Sequence, residues 1–489
     1  MKHTRSEALN LSPARTTLVL GGILVISAAL RLHSLGAASL LIDEAASDRF
    51  ATMPFREFLE TLWHYQGNMT LYYFMMRAWV HMGDSEFMLR LPSMVFGVLT
   101  VLAIYVVAAR LFGQLTGLIA ATLLSVHGFH IAFSQMARSY SLLLFVLLLT
   151  LYLLVSAMES QSTWDWAWFA VSAALCVYAH IFAFLVLAAF GVAIVLPKPF
   201  QVERQKILFS AILFEHLIAP MALFLMFHHS DQLNFQTPTW TDISGFLHLV
   251  TGEGGTFLTM AYLMLCVFAF MSPSGRSDKE SWALRTVGLW LVLPPLLTLA
   301  ATPLKPLFAP YMLVMCVPGL IILAARGITN LLEASWVQRL AGAAACVLVM
   351  ILSLVSLKRP VHYEYVPHAN WRAAVDHVLA HQQPGDGAVF YIPNDYPYLY
   401  YVRRAENQHK ATAAPDILYP PVEWQPLTRE EVSQVTSGRK RVWLILFLDF
   451  VHPERLAVVD STLNQKFHLV EKHVVPGEEP VTVDLYDHN

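Results

Sequence analysis

Charged residues are scarce in this chain. Of its 489 residues, 14% are Asp, Glu, Lys or Arg, whereas soluble domains carry about 25%. Hydrophobic residues make up 56% of the sequence, so a polytopic membrane protein is predicted rather than a soluble globular fold. The formal net charge is only −3. No basic field is present, and no nucleic-acid partner is predicted.

Cysteine is scarce as well. The 4 cysteines lie in apolar runs with no CxxC spacing, so we interpret them as small hydrophobic residues rather than as disulfides or metal ligands. None follows Lys358, which leaves the C-terminal region free to occupy an oxidising compartment. The sequence also lacks a glycine-rich nucleotide fingerprint and an internal repeat.

Apolar runs near spanning length recur along the first 357 residues. They cover 16–36, 86–109, 115–133, 139–157, 164–180, 181–197, 207–227, 257–271, 286–302, 310–325 and 340–357. At roughly 20 residues per span, they predict about eleven membrane helices. Basic residues precede the first run without a cleavage site, so we expect an uncleaved first helix with a cytoplasmic N-terminus.

The apolar stretch Leu71–Met82 is too short to span and contains Arg77 and His81, so it is predicted to be an interfacial helix. With that choice, the basic clusters fall on the side of the N-terminus. The region from residue 358 then lies on the outer face. The same face contains the first loop (37–85), the loops around Arg138 and Lys305, the turn at His180 and the loop 228–256. This arrangement predicts an inner (plasma) membrane protein with an extracytoplasmic active site.

The region 358–489 is polar and rich in aromatic residues, and it is predicted to be a small extracytoplasmic α/β domain following the transmembrane domain 1–357. Helices are expected at Asn370–Ala380, after the capping box Thr428–Glu431 and at Glu454–Phe467. Strands are expected at Ala388–Ile392, Arg441–Phe447 and Val481–Tyr486.

The adjacent carboxylates Asp43 and Glu44 follow the first apolar run. A carboxylate at a dry membrane interface can accept a proton from a hydroxyl nucleophile. The alternative is a pair of interfacial acids that end a helix. A divalent metal ion bound by the pair also stays open, although no dedicated ligand set is visible and no cofactor is predicted.

Two cations are candidates for binding a phosphate. Arg138 lies between hydrophobic runs among Gln135, Ser139 and Tyr140, where a guanidinium can bind phosphate bidentately. A snorkelling interfacial arginine is the alternative. Lys305, between two prolines, is either a second phosphate ligand or an ordinary loop lysine.

Several further groups have a functional and a plain interpretation. His180 sits in a tight turn, where a lone histidine is more often structural, and Tyr311 is as typical of an aromatic belt. Glu253 is either a gate residue or part of a mobile glycine-rich loop. The stretch His228-His229 to Asp231 is a weak candidate for a metal site.

The order of these motifs is informative. They comprise Leu41-Ile42-Asp43-Glu44-Ala45, Asn68-Met69-Thr70-Leu71-Tyr72-Tyr73, the stretch 83–93, Ser134-Gln135-Met136-Ala137-Arg138-Ser139-Tyr140, Tyr178-Ala179-His180, Lys305-Pro306-Leu307-Phe308, Tyr311 to Pro318-Gly319 and 371–386. In this order the chain resembles the GT-C membrane glycosyltransferases, in particular the bacterial branch related to protein O-mannosyltransferases and aminoarabinose transferases. The resemblance extends over nearly the whole sequence.

The resemblance implies a GT-C-like helical bundle that transfers a hexosyl or pentosyl group from a polyprenyl-phosphate donor. The acceptor would be a glycolipid, lipopolysaccharide, glycan or protein hydroxyl. Asp43 would then be the general base and Glu44 would orient the acceptor, while Arg138 and Lys305 would bind the donor phosphate. Asn68, Tyr72, Tyr140, His180 and Tyr311 would contact substrate.

Two departures from the pattern of the family affect these roles. The His-Pro-Pro of many relatives is replaced by Gly67-Asn68-Met69-Thr70, and an arginine before Tyr311 is replaced by Pro310. A lipid-linked sugar flippase is the competing function, and a non-catalytic component of envelope synthesis is a third. A flippase predicts charges spread through the membrane and an inverted repeat, neither of which the sequence displays.

Overall fold

The computed structural model describes residues 12–196, 199–227, 237–271, 276–358, 369–390, 395–408, 415–418, 428–447, 453–477 and 480–488. The chain divides into two compact units. The first contains Met1–Leu35, Pro54–Trp79 and Arg90–Val361, and the second contains Gly36–Met53, Val80–Leu89 and His362–Asn489. Parts of the predicted outer loop thus group with the C-terminal region. The domain boundary predicted near residue 358 stays a prediction.

The described helices follow one another closely. In chain order they are α1 (Pro13–Leu32), α2 (Ile42–Thr52), α3 (Phe55–His64), α4 (Thr70–Trp79), α5 (Glu86–Phe112), α6 (Gln114–Ser125), α7 (Gly128–Ser134), α8 (Tyr140–Ser160), α9 (Thr163–Ala179), α10 (Ala183–Val195), α11 (Arg204–Phe227), α12 (Trp240–Val250), α13 (Thr256–Ala269), α14 (Asp278–Ala301), α15 (Val317–Leu332), α16 (Trp336–Ser356), α17 (Trp371–His381), α18 (Tyr396–Asn407), α19 (Arg429–Val435) and α20 (Pro453–Leu463). Short 3₁₀ helices cover Val80–Met82 and Pro310–Cys316. The stretch 71–82 is therefore helical, as predicted.

Every predicted apolar run coincides with helical residues, which confirms a polytopic α-helical membrane protein. Within the described residues, 7 helices are long and apolar enough to cross a membrane, or 8 if a bent pair counts as one span. This number is below the roughly eleven expected, because several runs form shorter helices. Ala183–Val195 and Thr256–Ala269 are apolar helices of this shorter kind.

The run 115–133 forms the bent pair, in which α6 and α7 differ in direction by 66°. The break has a local cause. His127 accepts a hydrogen bond at Nδ1 from the backbone N–H of His130 at 3.3 Å, so its imidazole caps the N-terminus of α7. Hydropathy alone does not reveal such a break, because the residues on both sides are apolar.

The second unit contains a small sheet of β1 (Gly387–Phe390), β2 (Asp416–Leu418), β3 (Arg441–Phe447), β4 (Phe467–Val475) and β5 (Val481–His488). Its strand order is β2-β1-β3-β5-β4. β1 is parallel to β2 and β3, whereas β5 is antiparallel to β3 and β4. A core cluster that includes Val389, Leu444, Leu463 and Phe467 is buried against one face.

Most predicted elements of this region are confirmed. They include the helix after Asn370, the strands at β3 and β5, and the capping box of Thr428 and Glu431. The helix predicted to reach Phe467 is wrong at its end, because α20 stops at Leu463 and Phe467 begins β4. The last two positions of the strand predicted at 388–392, and the His228–Asp231 stretch, lie outside the described residues.

Candidate active site

Asp43 and Glu44 lie in the first turn of α2, in the second unit. The Glu44 side chain is fully buried, and its Oε2 accepts a hydrogen bond from the backbone N–H of Leu41 at 3.0 Å. This contact stabilises the start of the helix. Asp43, by contrast, is exposed. The adjacent carboxylates thus differ in environment, and their expected catalytic roles stay predictions.

A further acid of α2, Asp48, was not singled out from the sequence. Its side chain is 2% exposed, and its two oxygens accept hydrogen bonds from Nη2 of Arg403 at 2.9 and 2.8 Å. Burial raises the pKa of Asp48, and the Arg403 guanidinium opposes this shift. The ion pair joins α2 to α18 and has a structural role.

Glu86, in the first turn of α5, is the centre of a second ionic network. Its Oε1 accepts hydrogen bonds from Nε and Nη2 of Arg372 at 3.1 and 2.7 Å, and its Oε2 pairs with Arg404. Arg404 also donates to the Tyr400 hydroxyl at 3.0 Å, which in turn donates to the backbone carbonyl of Asp84 at 2.8 Å. Because each group already has a partner, we assign this network to stability.

The first unit contains a buried polar cluster around Arg138. This arginine is 8% exposed, and its Nη1 donates a hydrogen bond to the Tyr73 hydroxyl at 3.2 Å. Gln66 donates to the same hydroxyl at 3.2 Å. The backbone carbonyl of Arg138 accepts from Ser93 Oγ at 2.9 Å, and Ser93 lies 3.1 Å from the Tyr72 hydroxyl. Adjacent tyrosines of α4 therefore position both the backbone and the side chain of Arg138.

His180 adjoins this cluster at the break between α9 and α10. It is 1% exposed, and its ring centroid lies 5.8 Å from that of Tyr140. Its Nδ1 accepts a hydrogen bond from the backbone N–H of Phe182 at 3.2 Å, which puts the proton of a neutral imidazole on Nε2. Among the described residues, the buried Nε2 has no hydrogen-bond partner. Such a group is suited to donate to a ligand.

Asn68 also contacts the break between α9 and α10. Its Oδ1 accepts a hydrogen bond from the backbone N–H of Ile181 at 3.0 Å. The loop before α4, the break at 135–139 and the turn at His180 are thereby joined. The structure thus brings together five of the residues singled out from the sequence, namely Asn68, Tyr72, Arg138, Tyr140 and His180, and adds Gln66, Tyr73 and Ser93.

Lys305 and Tyr311 lie between α14 and α15, also in the first unit. Lys305 is exposed, and within the described part of the chain its side chain makes no hydrogen bond or ion pair that would join it to the Arg138 cluster. Tyr311 is half-buried in the 3₁₀ helix Pro310–Cys316. Their expected roles in binding the donor therefore stay predictions.

Glu253 lies in the glycine-rich loop that follows α12. Its φ of 58° is left-handed, and its backbone N–H donates to the carbonyl of His248 at 2.8 Å. Burial raises the pKa of Glu253 to about 7. A carboxylate that titrates near neutrality is suited to proton transfer, so Glu253 is a second acid to test.

Comparison with known families adds information about one segment. The family model described as dolichyl-phosphate-mannose-protein mannosyltransferase matches residues 70–235. Tyr72, Tyr73, Arg138 and His180 lie within this segment, whereas Asp43 and Lys305 lie outside it. No curated protein sequence matches the chain.

Similar solved structures cover most of the chain. ArnT from Cupriavidus metallidurans bound to undecaprenyl phosphate is similar with a TM-score of 0.59 at 10% identity, over 97% of this chain and 98% of ArnT. The Archaeoglobus fulgidus oligosaccharyltransferase is similar with a TM-score of 0.56 at 11% identity, over 88% of this chain and 69% of that one. The mycobacterial arabinofuranosyltransferase AftD gives a TM-score of 0.54 at 13% identity, over 98% of this chain and 40% of AftD.

These identities are too low to transfer a substrate, and the structural likeness establishes the fold alone. The likeness to ArnT nevertheless includes both the helical region and the small C-terminal sheet, since it covers 97% of this chain. The chain has the fold of the GT-C membrane glycosyltransferases, and its segment 70–235 matches the dolichyl-phosphate-mannose-protein mannosyltransferase family.

Proposed function

We propose that this protein is a glycosyltransferase that moves a sugar from a polyprenyl-phosphate donor to a hydroxyl on an extracytoplasmic acceptor. The observation that carries this proposal is the buried guanidinium of Arg138, which the tyrosines of α4 position within the family-matched segment. Phosphate is an anion that a positioned guanidinium recognises well. The ArnT structure contains undecaprenyl phosphate, which supports this class of donor.

The reaction is a direct displacement at the anomeric carbon of the donor sugar. The acceptor hydroxyl attacks that carbon, the bond between the carbon and the phosphate oxygen breaks, and the hydroxyl proton passes to Asp43. The leaving polyprenyl phosphate takes the bonding electron pair. Its negative charge grows in the transition state, where fixed donors stabilise it without reorganising. This displacement inverts the anomeric configuration.

Arg138 and His180 provide the donors on the phosphate side. Arg138 contributes charge-assisted hydrogen bonds, and the buried Nε2–H of His180 donates to a phosphate or sugar oxygen. Lys305 adds a second cation. Tyr140 and Tyr311 contact the donor, while Asn68 and Tyr72 act as positioning residues through the backbone contacts that they make.

Asp43 is the base in this scheme because it is the exposed member of the carboxylate pair. Glu44 holds the first turn of α2 through Leu41 and thereby positions Asp43. Glu253 is the alternative base, favoured by its pKa of about 7. Asp43 has the additional support of its motif in the GT-C resemblance.

The membrane orientation belongs to the proposal. Basic residues such as Arg110 and Arg204 are assigned to the cytoplasmic side, which puts the active site and the C-terminal region outside the cytoplasm. A cysteine introduced at the exposed Glu430 of α19 should react with an impermeant thiol reagent added to intact cells. Reaction only after lysis would reverse the orientation.

A transfer assay on purified protein in lipid tests the function. Polyprenyl-phosphate sugars are supplied singly, with envelope glycolipids, lipopolysaccharide and protein extracts as acceptors. Sugar that appears on an acceptor with inversion supports the proposal and identifies both substrates. Binding of lipid-linked sugars without turnover for any donor would favour the flippase, and translocation in sealed vesicles would establish it.

A further inference from the structure

Three potential metal ligands that have no role in the proposed reaction meet in the second unit. They are His377 of α17 and Glu471 and His473 of β4, and one ligand atom of each lies within 4.8 Å of the others. His377 Nε2 is 3.2 Å from Glu471 Oε1. The rings of His377 and His473 are stacked with centroids 3.8 Å apart.

The fold explains why these side chains converge. Glu471 and His473 are two residues apart on β4, so they project from the same face of the strand. On β5 they are opposite Leu485 and Val483, and Leu485 is in turn opposite Trp443 of β3. A register shift between Leu469 and Glu471 is the kind of irregularity that redirects side chains near a site.

α17 covers this face of the sheet and presents His377 to it. Its apolar residues Trp371, Val375 and Val378 are buried, and the ring of His377 meets that of Trp443 edge-on at 6.2 Å. β4 is at the edge of the sheet. The position of His377 on the helix is therefore fixed by packing, and the cluster joins the helix to an edge strand.

One polar atom of this cluster lacks a well-aligned hydrogen bond. His377 Nε2 is buried and makes no hydrogen bond among the described residues, although a carboxylate oxygen is within reach.

We propose that His377, Glu471 and His473 bind a divalent transition-metal ion of the Zn²⁺ type, with the stacked rings of the two histidines turning out of their parallel arrangement so that a nitrogen of each points at the ion. Two ligands at about 2.1 Å from a tetrahedral ion are about 3.4 Å apart, close to the observed separation of 3.2 Å between His377 and Glu471. Two imidazoles favour Zn²⁺ over Ca²⁺ or Mg²⁺, which prefer oxygen ligands. Three protein ligands leave one coordination position for water or a bound group.

Zinc binding by the full-length protein tests this proposal. The chain, with any affinity tag removed, is stripped of metal with a chelator and titrated with Zn²⁺ alone by calorimetry, and bound zinc is counted by elemental analysis. We expect the wild type to retain one more equivalent of zinc than His473→Ala. Glu471→Gln, at a side chain that is 37% exposed, should fold normally and weaken that site at least tenfold.

His468→Ala provides the matched control, because His468 is an exposed histidine of the same strand outside the cluster. It should bind zinc as the wild type does. Equal zinc stoichiometry and affinity in the wild type, His473→Ala and Glu471→Gln would overturn the proposal. Loss of the site in His468→Ala as well would also overturn it, because the ligands would then lie elsewhere on β4.

Discussion

Arg31 in the first unit and two acids in the second show different ways of stabilising buried charge, although the first unit also contains a buried arginine, Arg326, that pairs with Glu280 at 2.6 Å. In the first, Arg31 is fully buried, and its acceptors among the described residues are neutral: Ser27, Ser134, the carbonyls of Leu124 and Ser125, and Nδ1 of His130. In the second, the buried acids Asp48 and Glu86 have arginine partners.

The two arrangements differ in net charge. A carboxylate paired with an arginine has its charge compensated, whereas a cation held by hydroxyl and carbonyl groups keeps its net charge. α2 contains a buried acid, Asp48, in an ion pair with Arg403, and an exposed acid, Asp43. We therefore expect substitutions at the two positions to affect different properties.

The largest effect is expected for Asp43→Asn. Loss of a general base lowers the rate by about 10²–10⁴-fold, so kcat for transfer should fall in this range while thermal stability and donor affinity stay unchanged. Asp278→Asn is the matched control, because Asp278 is also an exposed acid in the first turn of a helix. It should transfer normally.

A near-normal kcat for Asp43→Asn would remove Asp43 from the role of base. Glu253→Gln then becomes the informative variant. The pKa of Glu253 is raised to about 7, so a base at this position would make activity rise as the pH passes through 7. The Glu253→Gln substitution would abolish that rise.

The next effect concerns stability and the paired acid of α2. Arg403→Met leaves the buried carboxylate of Asp48 uncompensated, which we expect to lower the free energy of unfolding by about 3 kcal/mol. We choose the lower end of the known range because the Arg403 side chain is 33% exposed. Thermal or denaturant unfolding in detergent measures the change.

This destabilisation should depend on pH in a defined direction. The pKa of Asp48 in the folded protein is raised above 3.8, so its contribution to stability is greatest below that pH and is lost as the pH rises through the folded pKa. Removing Arg403 raises the folded pKa further. The gap between wild type and Arg403→Met should widen with rising pH. A gap that does not change with pH would refute the ion-pair explanation.

An exposed pair provides the contrast for this measurement. Arg56 and Glu60 form an i,i+4 pair whose side chains are 91% and 56% exposed. Such pairs contribute at most about 0.5 kcal/mol. Arg56→Met should therefore change stability little at any pH.

A smaller effect is expected for Arg138→Ala, on donor binding. Hydrogen bonds that involve a charged group contribute about 1.5–3 kcal/mol, so the Kd for a polyprenyl phosphate should rise roughly ten- to a hundredfold. Arg138→Lys keeps the positive charge but loses the planar guanidinium, so its Kd should lie between those of the wild type and Arg138→Ala. Arg204→Ala, at an exposed residue of α11, is the control. Unaltered binding by Arg138→Ala would remove it from the donor site.

These contrasts also indicate what the sequence could predict. Hydropathy located the helices because apolar runs must be buried in lipid or protein. It did not locate the break at His127, which depends on a side-chain cap. It also missed α18, the three-residue strand β2 and the strand β4, most of whose residues are not buried.

The site was predictable only in part, for a physical reason. Asn68, Arg138 and His180 stand beside breaks between apolar runs, which hydropathy makes visible. The pairing of Asp48 with Arg403 and the meeting of His377 with His473 join residues far apart in the sequence. No local pattern encodes such contacts, since packing of the whole unit creates them. Likewise, the different environments of Asp43 and Glu44 follow from how α2 starts.

The smallest effect, and the sharpest test of how Tyr73 positions Arg138, is expected for Tyr73→Phe. The substitution keeps the ring and removes the hydroxyl that accepts hydrogen bonds from Arg138 and Gln66. Loss of one such contact costs about 1 kcal/mol, so KM for the donor should rise about fivefold with kcat unchanged. Tyr152→Phe, whose ring lies beneath Arg110, is the control.

The double variant decides how Tyr73 acts. If the phenol works by positioning the guanidinium, Tyr73→Phe should have little further effect once Arg138 is already alanine, and the two changes will not be additive. Additive losses would mean that Tyr73 contacts the donor independently of Arg138. In that case the Tyr73 hydroxyl would itself be a ligand for the substrate, and the position of the Arg138 guanidinium would depend on its other contacts.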